Sequence, residues 1–314
     1  MTTGRARRGE RRWSRYSSRT FYLFVSPWIL GFALLTALPL GYAFVVSLTN
    51  FNGRNNRWRW VGLSNYTELF RDTDAIAALV RTLAYTAITV PLMVAGGLGL
   101  AVLLNRRLKA VGLFRTLFFL PSVVPVVAMA IMWKLIFNRD AGILNAILEK
   151  VRIGPIAWLV DPNAFYALII LTLWGLGGGM VIMLAALQGV PAELEEAAVV
   201  DGASRWRVFR HVTVPMISPV IFFQIVTGII ASFQIIIQPL LLAETNQVGS
   251  VTQVPQSTHL YMVQVYQVFF ANNRYGYGSA MLWVFFLIIL AITLVVQRSS
   301  RLWVHYQVDS EAER

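Results

Sequence analysis

The chain has 314 residues, of which 57% are hydrophobic and only 13% charged, and it contains no cysteine. Soluble domains carry about 25% charged residues, so the side chains needed for a hydrated surface are missing. The apolar content excludes intrinsic disorder, the lack of Cys excludes disulfide scaffolds, thiolate metal sites and a cysteine nucleophile, and the net charge of +12 has to be explained by where the 27 Lys and Arg lie.

In chain order, residues 1–21 form an Arg-rich arm with Arg5, Arg7, Arg8, Arg11, Arg12, Arg15 and Arg19. An apolar run at 22–48 follows. A spanning helix needs about 20 mostly apolar residues, so this is the first predicted span. It is about twice the length of a signal-peptide hydrophobic region, and no small-residue cleavage site follows it, so a secretory signal is not expected. Five further uncharged runs predict spans at 82–104, 116–137, 165–187, 217–240 and 278–297. A seventh uncharged stretch, 245–273, is rich in Asn, Gln and Thr. Unpartnered amides are costly in hydrocarbon, so it reads as an extramembrane loop with a short interfacial helix over 263–270.

Polar features inside the spans are few. Span three holds Pro121 and Pro125 around Ser122, and irregular backbone at membrane depth is tolerated only against protein or a water-filled cavity. Lys134 is expected to snorkel from the end of that span. Span four holds Trp174 beside Gly175, Gly177, Gly178 and Gly179, small residues that let helices approach closely. Span five holds Gln224, Ser232, Gln234 and Gln238. Each of these singly reads as an interhelical hydrogen bond. As a set, they suggest a path for a polar solute.

The loop 190–215 reads as a helix–turn–helix elbow. Pro191 suits a first helical turn, and Glu193, Glu195 and Glu196 favour the positive end of the helix dipole. Asp201-Gly202 breaks the helix, Ser204 is a cap for a second short helix, and Pro215 and Pro219 are expected to end that helix before span five. An amphipathic elbow lying on the bilayer fits the same pattern.

The expected class is therefore all-α: a polytopic membrane protein with six transmembrane helices over 22–297 and a tail over 298–314. The arm, loops 105–115 and 188–216 and the tail hold 17 of the 27 basic residues. By the positive-inside rule these segments are cytoplasmic, which accounts for the charge without nucleic acid. No phosphate-binding loop, nucleophile elbow or His cluster is present, so no catalytic role is expected. Spans without carboxylates count against a proton-driven carrier.

Glu196-Ala197-Ala198, then Asp201-Gly202-Ala203, then Phe209, Val212, Pro215 and Pro219 resemble the EAA loop of binding-protein-dependent ABC importer permeases. Trp60-Val-Gly-Leu-Ser-Asn-Tyr66, Leu113-Phe-Arg-Thr-Leu-Phe-Phe-Leu-Pro121, Leu187-Gln-Gly-Val-Pro191 and Ala231-Ser-Phe-Gln234 are similar to the sugar branch, of the maltose and glycerol-3-phosphate type, and to its first permease. The region Leu241-Leu-Ala-Glu-Thr-Asn246 departs from that family's T-G-G-G-P stretch. The resemblance implies the type I importer fold, in the inner membrane of a prokaryotic cell with both termini cytoplasmic. It also implies a second permease, two cytoplasmic ATPases and an extracytoplasmic solute-binding protein as partners. No cofactor is then bound by this chain itself, with ATP and magnesium on the ATPases. By resemblance, Glu196, Ala197, Ala198, Asp201, Gly202, Ala203 and Pro215 couple to an ATPase. Ser122, Val126, Trp174, Gly175, Gly228, Ala231, Ser232 and Gln234 lie along the solute path. A stand-alone secondary carrier is the alternative.

Overall fold

The computed structural model describes residues 18–53, 58–106, 109–243 and 254–305. Arg5 to Arg15 of the arm, Arg107, the tail beyond His305 and residues 244–253, including half of the atypical stretch after span five, lie outside the described residues. Among the described residues the regular structure is helical, apart from one antiparallel bridge between Thr49 and Trp60.

Four helices are long and apolar enough to cross a membrane: Arg19–Ser47, Thr73–Leu104, Arg205–Phe233 and Tyr275–Ser300. Two further crossings are broken helices. Val111–Val123 and Val126–Ile136 meet at 101°, and Asn163–Leu173 and Leu176–Gln188 meet at 42°. Span three was expected as one helix over 116–137. The sharp bend falls at Val124 and Pro125, both extended, because Pro121 and Pro125 remove backbone donors from the same turn.

The broken third span still crosses. Arg115 donates to Leu104 O at 3.2 Å, at the end of span two where Leu104, Met183, Leu187 and Ile217 share one core. Phe137, at its other end, joins Tyr85, Leu159, Leu168, Leu242 and Leu260 at the opposite end of the bundle. Among the described residues the chain therefore makes six crossings, four by single helices and two by bent pairs. The first core adjoins the elbow and is called here the inner end; the second is the outer end.

Span five differs most from expectation. Pro215 was expected to end a short helix before a span at 217–240. Instead the helix runs unbroken from Arg205 to Phe233, through a wide turn over Phe209–Thr213. Pro215 falls in the first turn of the α-helical part. Pro219 leaves Pro215 O without its usual donor, and Ser218 Oγ takes that carbonyl at 2.6 Å. The span stops at Phe233, and Ile237–Leu242 is a separate short helix whose end carbonyl, Ala243 O, accepts from Lys134 Nζ. Lys134 thus reaches a helix-end carbonyl.

The short helix expected over 263–270 is present as Tyr261–Tyr266, continued by a turn over Gln267–Ala271, and one face of it is buried in the protein. Val263 is 0% and Val268 2% exposed. Tyr261 stacks on Phe285 of span six, its N–H donates to Thr82 Oγ1 at 2.9 Å, and its OH donates to Met281 O. The polar residues of this stretch had argued against membrane depth, but its alternating apolar residues serve the protein core.

Candidate functional site

At the inner end, the elbow opens with Ala192–Val200, carrying Glu193 and Glu195 in its first turn, where acids complement the helix dipole. The helix ends in a closed C-cap. The Gly202 N–H donates to Val199 O and the Ala203 N–H to Ala198 O, both at 3.0 Å, around Gly202 at φ +82°. A glycine is required there because other L-residues pay a steric cost in the left-handed region. Ser204 caps the next helical turn, accepting from the Arg207 N–H at 3.4 Å.

Glu196, Ala197, Asp201 and Gly202 are exposed together, with Ala198 and Ala203 half-buried behind them. Pro215 is separated from this group, inside the span-five helix. A groove of 600 Å³ runs between the elbow and the ends of spans two and four, walled by Val102, Leu187, Glu196, Val199 and Phe209. One contact escapes sequence reasoning: Thr213 Oγ1 donates to Glu195 Oε1 at 2.8 Å, fastening the elbow to span five. The partners are 18 residues apart with no pattern to pair them.

Deeper in the bundle lies a cavity of 540 Å³. Of the path residues expected from the sequence, Val126, Gly175, Gly228, Ala231, Ser232 and Gln234 line it; Ser122 and Trp174 do not. Ser122 turns back to donate to Phe119 O at 2.6 Å, and Trp174 packs edge-on against Trp133. Span two contributes a polar wall that the sequence reading missed: Tyr85 and Thr89. The Tyr85 OH shares a 2.7 Å hydrogen bond with Thr172 Oγ1, and Ser232 Oγ donates to Thr86 Oγ1 at 2.9 Å. The signal was present, since Thr82, Tyr85, Thr86 and Thr89 recur at three- and four-residue spacing in an apolar run. Gln224 Nε2 donates to Gly179 O at 3.0 Å, and a side chain at Gly179 would press on that amide. Among the described residues, none that lines the cavity is charged.

The outer rim is tied by charged groups. Arg81 donates to His259 O at 3.0 Å, and the Asp161 carboxylate accepts the backbone N–H of Gln256 and of Ser257. Burial raises the Asp161 pKa, but hydrogen bonds from Ser257 and Gln256 and the charge of Arg81 outweigh it and hold the pKa below the ordinary value. His259 is held below its ordinary value by burial and by Arg81, against an opposing pull from Asp74.

Four apolar helices and two bent pairs among the described residues, a largely aliphatic cavity with Thr, Ser, Tyr and Gln groups in its wall, and an exposed elbow at one end have the make-up of a membrane-embedded permease. Residues 93–304 match the family described as binding-protein-dependent transport system inner membrane component, and the chain belongs to that family. It is 37% identical over 294 residues to a Bacillus subtilis (strain 168) protein named "Probable ABC transporter permease protein YesP", covering 92% of this chain and 93% of that one. It is 36% identical over 225 residues to the lactose transport system permease protein LacF of Rhizobium radiobacter, covering 70% and 75%. The fold is also that of a chain in the crystal structure of a bacterial alginate ABC transporter in complex with alginate pentasaccharide-bound periplasmic protein. The TM-score is 0.76 at 21% identity, over 90% of this chain and 94% of that one.

Proposed function

We propose that this chain forms half of the translocation pathway of an ATP-driven, binding-protein-dependent importer for an uncharged saccharide or similar polyhydroxy solute. A second permease supplies the other half. Two cytoplasmic ATPases, which carry the ATP and magnesium, dock on the elbow, and an extracytoplasmic binding protein delivers the solute to the outer rim. The complex lies in a prokaryotic inner membrane with both termini of this chain cytoplasmic, the side that the Lys and Arg excess selects. The 1–21 arm, the 22–297 permease unit and the 298–314 tail are its three parts.

The carrying observation is the continuity of the helix Arg205–Phe233. Its first turns belong to the elbow, and its last three turns hold Gln224, Gly228, Ala231 and Ser232 of the cavity. Motion imposed on the elbow is therefore delivered to the cavity wall by one rigid rod. The Thr213–Glu195 bond makes both elbow segments move with it. The Ser, Thr, Tyr and Gln lining can exchange hydrogen bonds with hydroxyls, and the aliphatic walls and the Tyr85 ring can take the apolar faces of a sugar.

The test is uptake of labelled mono- and oligosaccharides into proteoliposomes holding the full complex. Uptake that needs ATP, the ATPases and the binding protein is expected. Uptake by this chain alone, driven by an ion gradient, would overturn the proposal in favour of a stand-alone carrier. A thermal-shift screen of the binding protein identifies the solute.

A further inference from the structure

The transport reading leaves one groove unused. It lies between spans five and six at the inner end, measures 610 Å³ and is lined by Phe222, Leu294, Gln297, Arg298, Ser300 and Arg301. The chain turning back after span six shapes it. The His305 N–H donates to Ser218 Oγ at 2.9 Å, Val304 is buried, and Trp303 packs edge-on against Phe222.

The face of span six that leads into this groove is graded in its chemistry. Leu287, Leu290 and Leu294 are exposed and recur at three- and four-residue spacing, so they form one stripe. Arg298 continues the stripe one turn further, and Arg301 follows three residues on. A molecule lying along this face meets hydrocarbon over most of its length and two cations at one end. Trp303 marks the level of the membrane interface, where Trp is enriched. Both arginines are exposed, and the sole ion pair among the described residues is Arg274–Glu68 at the far end of the span. A plain orientation signal would explain the sign of these charges. It would not explain an interhelical groove in which Phe222 and Leu294 stand beside them, with exposed Leu290 and Leu287 continuing along the same helix face.

We propose that this groove is a binding site for an anionic phospholipid, with the phosphate against Arg298 and Arg301 and an acyl chain along Leu294 and Leu290. Basic pockets between transmembrane helices on the cytoplasmic side lodge such headgroups. The site is independent of the solute cavity.

The experiment titrates the purified complex in detergent with phosphatidylglycerol and counts retained lipid by native mass spectrometry. Wild type is expected to hold one phosphatidylglycerol per copy of this chain that R298Q/R301Q loses, with affinity reduced roughly 25-fold, about fivefold per arginine near a membrane surface. R298K/R301K keeps the charge and is expected to keep most of the binding. R106Q/K109Q removes two cations at the same end but outside the groove, and is expected to bind as wild type. Should R298Q/R301Q fail to assemble, L294Q, which keeps both arginines, is expected to weaken retention instead. Unchanged retention in R298Q/R301Q, or in L294Q where that variant stands in, overturns the site. Equal loss in R106Q/K109Q overturns it in favour of diffuse surface attraction. Full protection by glycerophosphoglycerol, the free headgroup, overturns the lipid in favour of a soluble anion.

Discussion

The two ends of this bundle are built on opposite plans. At the outer end, side chains cross-link the fold, both within one connection and between elements far apart in the chain. Asn145 alone makes four hydrogen bonds, to the carbonyls of Arg139 and Ile156, the Ile156 N–H and the Trp158 indole. Tyr277 donates to Asp72, Arg274 pairs with Glu68 at 2.6 Å, and Asn65 binds the carbonyls of Ser47 and Thr49. At the inner end, the elbow is held by its own backbone cap and by the Thr213–Glu195 bond. None of Ala192–Val200 is buried. The lesson is one of division of labour. The outer end is a cross-linked frame, whereas the elbow is a handle tied at Glu195 that leaves Glu196, Ala197, Asp201 and Gly202 exposed.

The contrast is open to attack from both sides. Asn145→Ala strips four partners from a buried amide, so we expect a loss of about 3 kcal/mol in the stability of this chain, near the upper end for leaving buried groups unsatisfied. A thermal midpoint within one degree of wild type would show the frame is not built as described. Glu196→Lys should do the reverse. The complex should assemble with an unchanged midpoint while transport per ATP hydrolysed falls roughly 30-fold, the ~2 kcal/mol low end for an interfacial charge pair. Uptake at the wild-type rate would remove the coupling role.

Smaller effects sharpen the picture. Gly202→Val is expected to destabilise the elbow by about 1–2 kcal/mol through its left-handed backbone, and Gly202→Asn by less, since Asn adopts that region more readily. Hydrogen exchange at the Ala203 amide reports this opening, and equal protection in the two variants would contradict it. The smallest effect is one of pH. His259 has a folded-state pKa below its ordinary 6.5, so the unfolded chain binds a proton more readily. Its contribution is intact above that value and is lost as pH falls below it. Asp161 adds a second loss only further down, below the ordinary carboxylate value of 3.8. Thermal midpoints should therefore decline between pH 7 and pH 5, and His259→Gln should flatten that decline. An identical slope in His259→Gln would assign it elsewhere.

Several features were legible in the residues because they depend on local chemistry. Uncharged runs placed six spans because hydrocarbon admits few charges. The elbow was readable for the same reason: Pro191, the first-turn acids, Gly202 and Ser204 each act within a turn or two of their own position. Gly228, Ala231, Ser232 and Gln234 were expected together from a polar cluster on one span and a family resemblance, and all four line one cavity.

What only the tertiary structure decided involves partners far apart in the chain. Pro215 looked like a helix stop, but a wide turn over Phe209–Thr213 and the Ser218 hydroxyl absorb the prolines, and the rod from elbow to cavity stays whole. One face of the 261–271 element is covered by Phe285 and Met281 of span six, partners that no local pattern names. The inclusion of Tyr85 and Thr89 in the cavity wall, and the exclusion of Ser122 and Trp174 from it, followed from how broken spans three and four pack on span two. Composition and periodicity tell a helix which faces are apolar or polar. They do not tell it which neighbour each face will meet, because that choice is made by packing among helices whose apolar surfaces are nearly interchangeable.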